Sequence, residues 1–276
     1  MQPEKYIRWR AFVIVVSVVF FLVSGLLWYW LGVFAIAVVL PAALAVVLFG
    51  QLTFTKRQIA DSRRSNAELV RQNQALHAIH KLLPLNAPLP AMAIDWAIDP
   101  VFAETIVSTV LRHNPKVVVE LGSGTSTVVT AYALQRVGTG KVISIDDNEQ
   151  FCGVTRDNIE QHRLTEFAEI HYAPLVATEI DGASYHWYDH SKLNVPSDIG
   201  LVIIDGPPGR TGRHARYPAL PVLWSKLGEK VIVLLDDANR ADEKEIVDRW
   251  LRQYPSLRCR YVNTRKGVAI IERADT

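Results

Sequence analysis

Charge is missing from one long segment of this chain: no Asp, Glu, Lys or Arg occurs between Ala11 and Thr55. As one helix the segment would be roughly 67 Å long, about twice the hydrocarbon thickness of a bilayer. The aromatic cluster and glycine of Trp28–Gly32 offer a break near its middle, because Trp and Tyr favour the membrane interface. We therefore expect a transmembrane hairpin. It covers residues 1–55, and its helices are roughly Ala11–Leu27 and Val33–Phe54.

A cleavable signal peptide does not fit this segment, because its apolar core would be shorter and a small-residue cleavage site would follow it. One long signal anchor followed by a re-entrant piece is the remaining alternative. Basic residues flank both ends of the segment, and such residues stay on the cytosolic side. The sequence thus predicts a multi-pass protein of the inner (cytoplasmic) membrane with its catalytic domain in the cytosol. The flanking residues are Lys5, Arg8 and Arg10 before the segment and Lys56, Arg57, Arg63 and Arg64 after it.

Cysteine is also scarce, and the net charge is small. The two cysteines, Cys152 and Cys259, suggest no disulfide framework and fit a reducing compartment. A formal net charge of +2 is too small to indicate a nucleic-acid partner. A homodimer is compatible with the sequence.

A helical and proline-rich linker is predicted at residues 56–90, before a domain at residues 91–276. Leu69, Leu76 and Leu83 lie seven residues apart, a spacing that permits a short coiled coil but more often packs on the chain's own domain. The connector that follows contains three prolines and cannot continue a helix, so it marks a domain boundary.

From residue 100 onward, short apolar runs alternate with helix-like stretches. This alternation predicts an α/β fold with a doubly wound, mostly parallel sheet covered on both faces. Only four residues separate the last two runs, which permits a hairpin but no parallel crossover, so the sheet is expected to end in an antiparallel strand. The predicted strands are Val117–Leu121, Val142–Ile145, Glu169–Tyr172, Leu201–Ile204, Val231–Leu235, Arg258–Val262 and Gly267–Ile271. The predicted helices between them include Thr127–Arg136, Asn148–His162 and Glu243–Gln253.

A glycine-containing turn, Glu120–Thr127, follows the first predicted strand and opens the first helix. Gly122 and Gly124 let a ligand approach the backbone closely, and the helix N-terminus supplies free amides. Asp146 ends the second predicted strand and is followed by Asp147. An acid in this position can accept hydrogen bonds from two ribose hydroxyls. The pattern therefore indicates a cofactor that carries adenosine.

Two such cofactors are considered, a nicotinamide dinucleotide and S-adenosylmethionine. The dinucleotide fingerprint has a third glycine where this chain has Thr127. The carboxylate of Glu120 would repel a pyrophosphate and suits a cationic amino-acid group better. A nicotinamide-dependent epimerase or oxidoreductase should also carry a Tyr-x-x-x-Lys pair on a helix, and none of the predicted helices of the domain has one. S-adenosylmethionine is favoured.

Four motifs stand at the ends of predicted strands: Glu120–Thr127, Ser144–Asp147, Ile203–Gly209 and Leu234–Ala238. They resemble those of class I methyltransferases, and the chain is most similar to bacterial proteins grouped near the catechol and caffeoyl-CoA O-methyltransferases. The resemblance covers roughly residues 90–272 and implies a seven-stranded sheet whose last strand is antiparallel. It also implies which side chains surround the methionine part of the cofactor and its ribose. The implied cofactor-binding residues are Glu120, Gly122, Ser123, Gly124, Ser126, Asp146 and Asp147.

Asp205, Asp236 and Asp237 end two predicted strands that are expected to be neighbours. Their carboxylates should converge at the carboxyl edge of the sheet, where three oxygen ligands suit Mg²⁺. Such a cation would lower the pKa of a bound acceptor hydroxyl. In the metal-dependent O-methyltransferases, acids at the matching strand ends bind the cation. The alternative is that Asp236 or Asp237 caps the following helix while Asp205 orients the loop.

Three features depart from the catechol-enzyme pattern. The third metal ligand is commonly Asn there and is Asp237 here, the position of the catalytic lysine holds Pro208, and the glycine loop is two residues shorter. Without that lysine, the candidate catalytic residues are Asp205 and His214. His214 is the candidate base because an imidazole pKa of about 6.5 allows proton uptake at neutral pH, and a solvated loop histidine is the alternative.

Two further segments leave two interpretations each. The loop Gly209–Tyr217 carries three arginines that either grip an anionic group such as a phosphate or uronate or lie on a solvated surface. The aromatic stretch Tyr185–His190 either forms a lid or stacking wall or packs against the sheet.

We therefore expect an S-adenosylmethionine-dependent O-methyltransferase that acts on a small or lipid- or saccharide-linked acceptor at the cytosolic membrane face. One alternative is a nicotinamide-dependent sugar-nucleotide oxidoreductase or epimerase. The other is a membrane scaffold that kept the fold and lost the chemistry.

Overall fold

The computed structural model describes residues 3–31, 33–92, 97–189, 191, 195–262, 264 and 266–274. The chain divides into two compact units, Met1–Ala67 and Glu68–Thr276. The sequence predicted domain limits at residues 55 and 90, and these limits remain predictions.

The first unit consists of long apolar helices. Helix α1 spans Pro3–Leu31, and helix α2 spans Val33–Leu82, so that its last part belongs to the second unit. Helix α1 ends and helix α2 begins beside the aromatic cluster, where the break was predicted. Gly32 itself lies outside the described residues. By length and composition both helices could cross a membrane. The ring of Trp9 stacks on that of Phe54 with 5.4 Å between the centroids.

The second unit is an α/β domain. Its strands are β1 Val117–Leu121, β2 Lys141–Asp146, β3 Ala168–Tyr172, β4 Leu175–Ile180, β5 Ala183–Tyr188, β6 Ile199–Ile204, β7 Leu227–Leu235, β8 Leu257–Val262 and β9 Val268–Arg273. Its further helices are α3 Pro100–His113, α4 Thr125–Val137, α5 Glu149–Gln161, α6 Ala219–Leu223 and α7 Ala241–Gln253.

Seven strands form one sheet in the order β3-β2-β1-β6-β7-β9-β8. The β1, β2, β3, β6 and β7 pairings are parallel, whereas β9 runs antiparallel to both β7 and β8. This confirms the doubly wound, mostly parallel sheet with an antiparallel C-terminal strand. Strand β9 runs antiparallel to β8 because their short connection allows only a hairpin, and β9 lies between β7 and β8.

Both faces of the sheet are buried, which explains why its central strands are almost continuously apolar. Val118 and Leu201 point into one core layer, which also contains residues of α3 and α4. Val119 and Val202 point into the opposite layer, which contains residues of α6 and α7. Leu121 of β1 pairs with Ile204 of β6, so the strand ends that form the site lie side by side.

Local signals in the sequence set the helix starts. Asp99 accepts a hydrogen bond from the amide of Phe102 at 2.8 Å and is followed by Pro100, so α3 begins there. Asn148 caps α5 in the same way, two residues after the second strand ends. The amide of this cap donates to Asp146, so the acid is held at the junction of strand and helix.

The predicted leucine stripe packs partly on its own domain. Ile79 and Leu83 are buried in the core layer of α3 and α4, whereas Leu69 is largely exposed.

One supersecondary element was missed by the sequence prediction. Strands β4 and β5 pair as an antiparallel hairpin outside the main sheet, in the region that was expected to be a long loop between strands. Trp187 and Tyr188 are buried, so this part of the aromatic stretch packs against the domain, while His190 lies outside the described residues. The turn of this hairpin is Asp181-Gly182, and both residues have the positive φ that two-residue hairpin turns of this kind require.

Candidate active site

The carboxyl ends of β1, β2, β6 and β7 meet at one edge of the sheet, where they surround a cavity of about 260 Å³. We call it the main cavity. A neighbouring side cavity of about 240 Å³ lies along the start of α4. The main cavity is lined by residues that include Gly122, Ser123, Asp146, Asp147, Phe151, Tyr188, Asp205, Gly206, Arg210, Arg216, Asp237, Arg240 and Lys266. The side cavity is lined by residues that include Ser123, Gly124, Ser126, Phe151 and Asp205.

The glycine turn is shaped by its position between two strands. Gly122 has a φ of +97° and donates its amide to the carbonyl of Ile145 at 2.8 Å. A Cβ on Gly122 would lie 3.1 Å from the amide nitrogen of Gly206. Glycine is therefore required here both by the backbone angle and by the close approach of the neighbouring strand end. The amide of Gly124 donates to the hydroxyl of Thr127 at 3.0 Å.

Asp146 lies next to this turn, as the sequence predicted for a ribose-binding acid. One of its carboxylate oxygens accepts hydrogen bonds from the amide of Ser123 at 2.6 Å and from its hydroxyl at 3.1 Å. The other oxygen accepts the amide of Asn148 at 2.8 Å. Its neighbour Asp147 also lines the main cavity, and burial, together with the charge of Asp146, raises the pKa of Asp147.

Glu120 is placed differently from these residues. It is fully buried and is not among the residues that line either cavity. One carboxylate oxygen accepts the hydroxyls of Thr127 at 2.5 Å and Ser144 at 2.6 Å, while the other has no hydrogen-bond partner among the described residues. Burial raises the pKa of Glu120 to about 7. Its contacts hold the start of α4 to β1 and β2, and a direct contact with the cofactor stays a prediction.

The three aspartates predicted to bind a metal do come together. One carboxylate oxygen from each of Asp205, Asp236 and Asp237 lies within 4.8 Å of the other two. Asp236 is fully buried, and neither of its carboxylate oxygens has a hydrogen-bond partner among the described residues; the nearest cation is the Lys266 ammonium at 3.8 Å. Burial, followed by the charges of the two other aspartates, raises the pKa of Asp236 well above its ordinary value.

Arg216 is a buried partner of this cluster that the sequence analysis did not single out. Its guanidinium group lies 3.3 Å from the carboxylate of Asp205 and 3.1 Å from that of Asp237, and it donates to the carbonyl of Asp236 at 3.0 Å. Burial alone would lower the pKa of Arg216, but the neighbouring carboxylates raise it above its ordinary value. The side chain of Arg216 is only 4% exposed, so the solvated interpretation does not describe this residue.

The other arginines of the loop differ from Arg216. Arg213 is 74% exposed and pairs with Glu245 at 2.6 Å, so it fits the solvated interpretation. Arg210 lines the main cavity. No pattern in the sequence separates the three, because the difference arises from which side of the loop faces the strand ends.

His214 is not brought to the main cavity. Its Nε2 atom lies 2.7 Å from a carboxylate oxygen of Glu245, and its amide donates to Asp242 at 2.7 Å. Both partners belong to α7, and His214 is not among the residues that line the main or the side cavity. The structure therefore separates the two candidate catalytic residues, and only Asp205 borders the cavity.

Two aromatic residues border the main cavity: Phe151, which the sequence analysis did not name, and Tyr188, which belongs to the aromatic stretch Tyr185–His190. Phe151, in the first turn of α5, lines both cavities and is 44% exposed, which makes its ring available for stacking. Tyr188 ends β5 and is fully buried. Tyr188 and Lys192 have the Tyr-x-x-x-Lys spacing, but Tyr188 stands on a strand rather than a helix and Lys192 lies outside the described residues.

A glycine turn and an acid at adjacent strand tips, in a seven-stranded sheet with an antiparallel last strand, define a class I methyltransferase domain. Residues 119–238 match the model of a family described as a methyltransferase domain. The second unit is accordingly a class I, S-adenosylmethionine-dependent methyltransferase domain, and the chain is an enzyme of that class. This identification favours S-adenosylmethionine over a nicotinamide dinucleotide. No curated protein sequence matches the chain.

Solved structures share the fold at low sequence identity. The SAH-bound methyltransferase PaMTH1 of Podospora anserina is 11% identical, covers 79% of this chain and 96% of its own, and superposes with a TM-score of 0.52. TomG, an O-methyltransferase of Streptomyces achromogenes in complex with SAM, is 12% identical over 74% of this chain and 89% of its own, with a TM-score of 0.49. An O-methyltransferase from Bacillus cereus in complex with SAH is 14% identical over 74% and 90%, with a TM-score of 0.47.

Proposed function

We propose that this enzyme transfers a methyl group from S-adenosylmethionine to an oxygen atom of a small or lipid- or saccharide-linked acceptor at the cytosolic face of a membrane. One observation carries the proposal: a single cavity is bordered by Gly122 and Asp146 on one side and by Asp205 on the other. A cofactor with its ribose at Asp146 can therefore direct its reactive end toward a carboxylate that accepts a proton.

The proposed cofactor contacts come from the end of β2, the glycine turn, α4 and α5. Asp146 binds the ribose hydroxyls, and Asp147 and Ser123 lie beside it along the same cavity. Gly122 leaves room for the methionine part, and the ring of Phe151 stacks on the adenine. Gly124 and Ser126, at the start of α4, line the adjoining side cavity. Glu120 acts from behind the turn, where its carboxylate accepts a hydrogen bond from Thr127 at the start of α4.

Asp205 is the proposed general base. Burial raises the pKa of Asp205, and the repulsion of Asp237 adds to this effect while Arg216 opposes it. A carboxylate with a raised pKa takes up a proton more readily than an ordinary one. The acceptor hydroxyl gives its proton to Asp205, its oxygen forms a bond to the methyl carbon, and the carbon–sulfur bond breaks with its electron pair left on sulfur. The products are the methyl ether or ester and S-adenosylhomocysteine.

A divalent cation fits the donor set of Asp205, Asp236 and Asp237. Two observations support this fit. Neither carboxylate oxygen of Asp236 has a hydrogen-bond partner among the described residues, and one oxygen from each of the three carboxylates lies within 4.8 Å of the other two. Mg²⁺ bound there would polarise the acceptor oxygen and lower the pKa of its hydroxyl. Arg216 already neutralises part of the charge of Asp205 and Asp237, so we expect Mg²⁺ to bind more weakly than at a cluster of three uncompensated carboxylates.

The metal is tested by thermal unfolding of the full chain after EDTA treatment. Mg²⁺ should raise the melting temperature of the wild type and leave that of Asp236→Asn unchanged, because a ligand that binds only the folded state stabilises it. An equal response of both proteins, or none in either, would rule out Mg²⁺ at these aspartates.

The membrane location is supported by the apolar helices and their basic flanks. Large apolar side chains along α1 and α2 are exposed, among them Phe21 at 72% and Phe49 at 69%, which is unfavourable in water. A membrane anchor raises the effective concentration of the enzyme toward acceptors in the same bilayer. The predicted orientation is tested by a C-terminal green fluorescent protein fusion, which should fluoresce because both chain ends face the cytosol.

The activity is tested with S-adenosylmethionine labelled in its methyl group. The full chain, reconstituted in vesicles that contain a membrane lipid extract, should transfer label to an acceptor in its own vesicles faster than to the same extract in separate vesicles. Asp205→Asn should retain S-adenosylhomocysteine binding and lose transfer, whereas Asp146→Ala should lose both. Equal rates for the two vesicle arrangements would contradict the membrane-face part of the proposal, and tight binding of NADH would contradict the cofactor.

A further inference from the structure

Tyr188 is the last residue of β5, and its hydroxyl is an unpartnered polar group in the wall of the main cavity. The side chain is fully buried, and its oxygen has no hydrogen-bond partner within the described part of the chain. A buried tyrosine hydroxyl normally finds a partner, because leaving it without one costs stability. The partner of Tyr188 is therefore expected to be a ligand of the cavity.

The hydroxyl lies where the glycine backbones of two strand ends approach each other. A Cβ built on Gly206 would lie 2.3 Å from the Tyr188 oxygen and 3.2 Å from the amide nitrogen of Gly122. Gly206 directly follows Asp205, and Gly122 belongs to the cofactor turn. The hydroxyl therefore lies against the backbone that follows the proposed base, close to the cofactor turn.

The Tyr188 hydroxyl is expected to act as a hydrogen-bond donor to a ligand. Burial, and after it the charges of Asp146 and Asp147, raises the pKa of Tyr188 well above its ordinary value, so the phenol keeps its proton. Asp146 is not its acceptor, because the Tyr188 hydroxyl has no hydrogen-bond partner among the described residues. A bound group that carries acceptor oxygens would complete the site.

We propose that Tyr188 donates a hydrogen bond to the carboxylate of the methionine part of S-adenosylmethionine. The proposal rests on the cofactor site described above and adds the β4–β5 hairpin to it. In the proposed site, Asp146 binds the ribose and Phe151 stacks on the adenine. The amino-acid part then passes Gly122 and Gly206 as it brings the methyl group to Asp205. A carboxylate is also the strongest acceptor that the cofactor offers to a neutral phenol.

Calorimetric titration of the full chain in detergent tests this contact. S-adenosylhomocysteine should bind Tyr188→Phe about tenfold more weakly than wild type, the loss expected for one hydrogen bond to a charged group. The affinity for 5′-methylthioadenosine, which lacks the amino-acid carboxylate, should stay within about twofold. The melting temperature of the ligand-free protein should not fall, because the hydroxyl makes no hydrogen bond in that state.

Two further variants complete the experiment. Tyr185→Phe is the matched control, because Tyr185 stands on the same strand, accepts a hydrogen bond from Arg249 at 2.7 Å and does not line the main cavity; its S-adenosylhomocysteine affinity should equal that of wild type. Gly206→Ala places a methyl group against both the Tyr188 hydroxyl and the backbone of Gly122, so it should weaken the binding of both ligands and lower the melting temperature, unlike Tyr188→Phe.

The outcomes separate the two proposals. Unchanged S-adenosylhomocysteine binding by Tyr188→Phe, an equal loss for 5′-methylthioadenosine, or a lower melting temperature without ligand would each overturn the assignment of Tyr188 alone. Failure of the wild type to bind S-adenosylhomocysteine would instead overturn the cofactor site itself.

Discussion

Ser123 and Asp146 are joined by two hydrogen bonds, from the amide and the hydroxyl of Ser123 to one oxygen of the Asp146 carboxylate. The residues are 23 positions apart in the sequence, yet they stand at the tips of adjacent parallel strands, where Leu121 pairs with Ile145. The glycine turn and the acid are therefore one structural unit. The same contact also orients the Asp146 carboxylate before any ligand binds.

Removing the Asp146 carboxylate should abolish tight cofactor binding. In Asp146→Ala, we expect the Kd for S-adenosylhomocysteine to rise by about 30-fold or more, because hydrogen bonds from two ribose hydroxyls to a charged acceptor are lost. Calorimetric titration measures the change. Asp157→Asn, an exposed residue of α5 that lines neither cavity, is the control and should bind like wild type. Unchanged affinity in Asp146→Ala would place the ribose elsewhere.

Adding a side chain at Gly122 should damage both stability and binding. In Gly122→Ala, the new Cβ meets the positive φ and the amide of Gly206, and we expect a loss of about 1–3 kcal/mol in the free energy of unfolding and weaker S-adenosylhomocysteine binding. Gly153→Ala is the matched control, because a Cβ there meets nothing within 4 Å and alanine is the better helix former. Denaturant unfolding should rank the three proteins, with Gly153→Ala at least as stable as wild type. Equal stability of the two variants would show that the turn tolerates a side chain.

The buried Arg216 should be far more important for stability than the exposed Arg213. Arg216→Met leaves Asp205 and Asp237 without their shared cation, and breaking a buried ion pair from one side costs about 3–5 kcal/mol. Arg213→Met breaks only an exposed pair with Glu245 and should unfold like wild type. Denaturant titration at neutral pH compares them. If Mg²⁺ can replace the guanidinium group, adding Mg²⁺ should restore part of the stability of Arg216→Met. Similar stabilities of Arg216→Met and Arg213→Met without metal would contradict the role given to Arg216.

Glu120 should make the stability of the domain fall as the pH rises toward neutrality. Its pKa is raised from an ordinary value near 4.5 to about 7 in the folded protein, so the folded state holds the proton more tightly than the unfolded state does. The contribution of this tighter proton binding to the free energy of unfolding totals about 3 kcal/mol. It is complete below about pH 4.5 and is lost as the pH rises through about 7.

Glu120→Gln removes this titration and keeps an oxygen for Thr127 and Ser144. The free energy of unfolding of the variant should change less than that of wild type between pH 4.5 and 8, and Glu166→Gln, an exposed control, should follow the wild-type curve. Parallel curves for Glu120→Gln and wild type would mean that Glu120 is ionised throughout this range.

Much of the fold was predictable because its signals are local. Strand β1 was predicted at its observed limits, and α7 to within two residues at its start, because apolar runs and helix periodicity repeat over short distances. The β4–β5 hairpin was missed because its alternation is interrupted by buried aromatic residues and its strands pair with each other rather than with the main sheet.

The candidate site was predictable where a residue's position follows from a strand end. Asp146, Asp205 and Asp237 stand at such ends and line the main cavity together. His214 and Arg216 stand in a loop, where two positions along the chain decide between the surface near α7 and the buried centre of the aspartate cluster. No periodicity specifies a loop, so the sequence indicated the histidine as a base and did not distinguish Arg216 from the two other arginines of the loop.

The sequence by itself determined the two long apolar helices, the parallel sheet with its antiparallel last strand, and the glycine turn with its neighbouring acid. These features follow from the periodicity of hydrophobic residues and from the lengths of the connections, both of which can be read from the sequence. Only the tertiary structure decided that Arg216 neutralises the aspartates, that Glu120 lies behind the cavity and that Tyr188 faces it. Those outcomes depend on which side chains from distant segments share a volume shielded from water, where each buried charge or hydroxyl needs a partner.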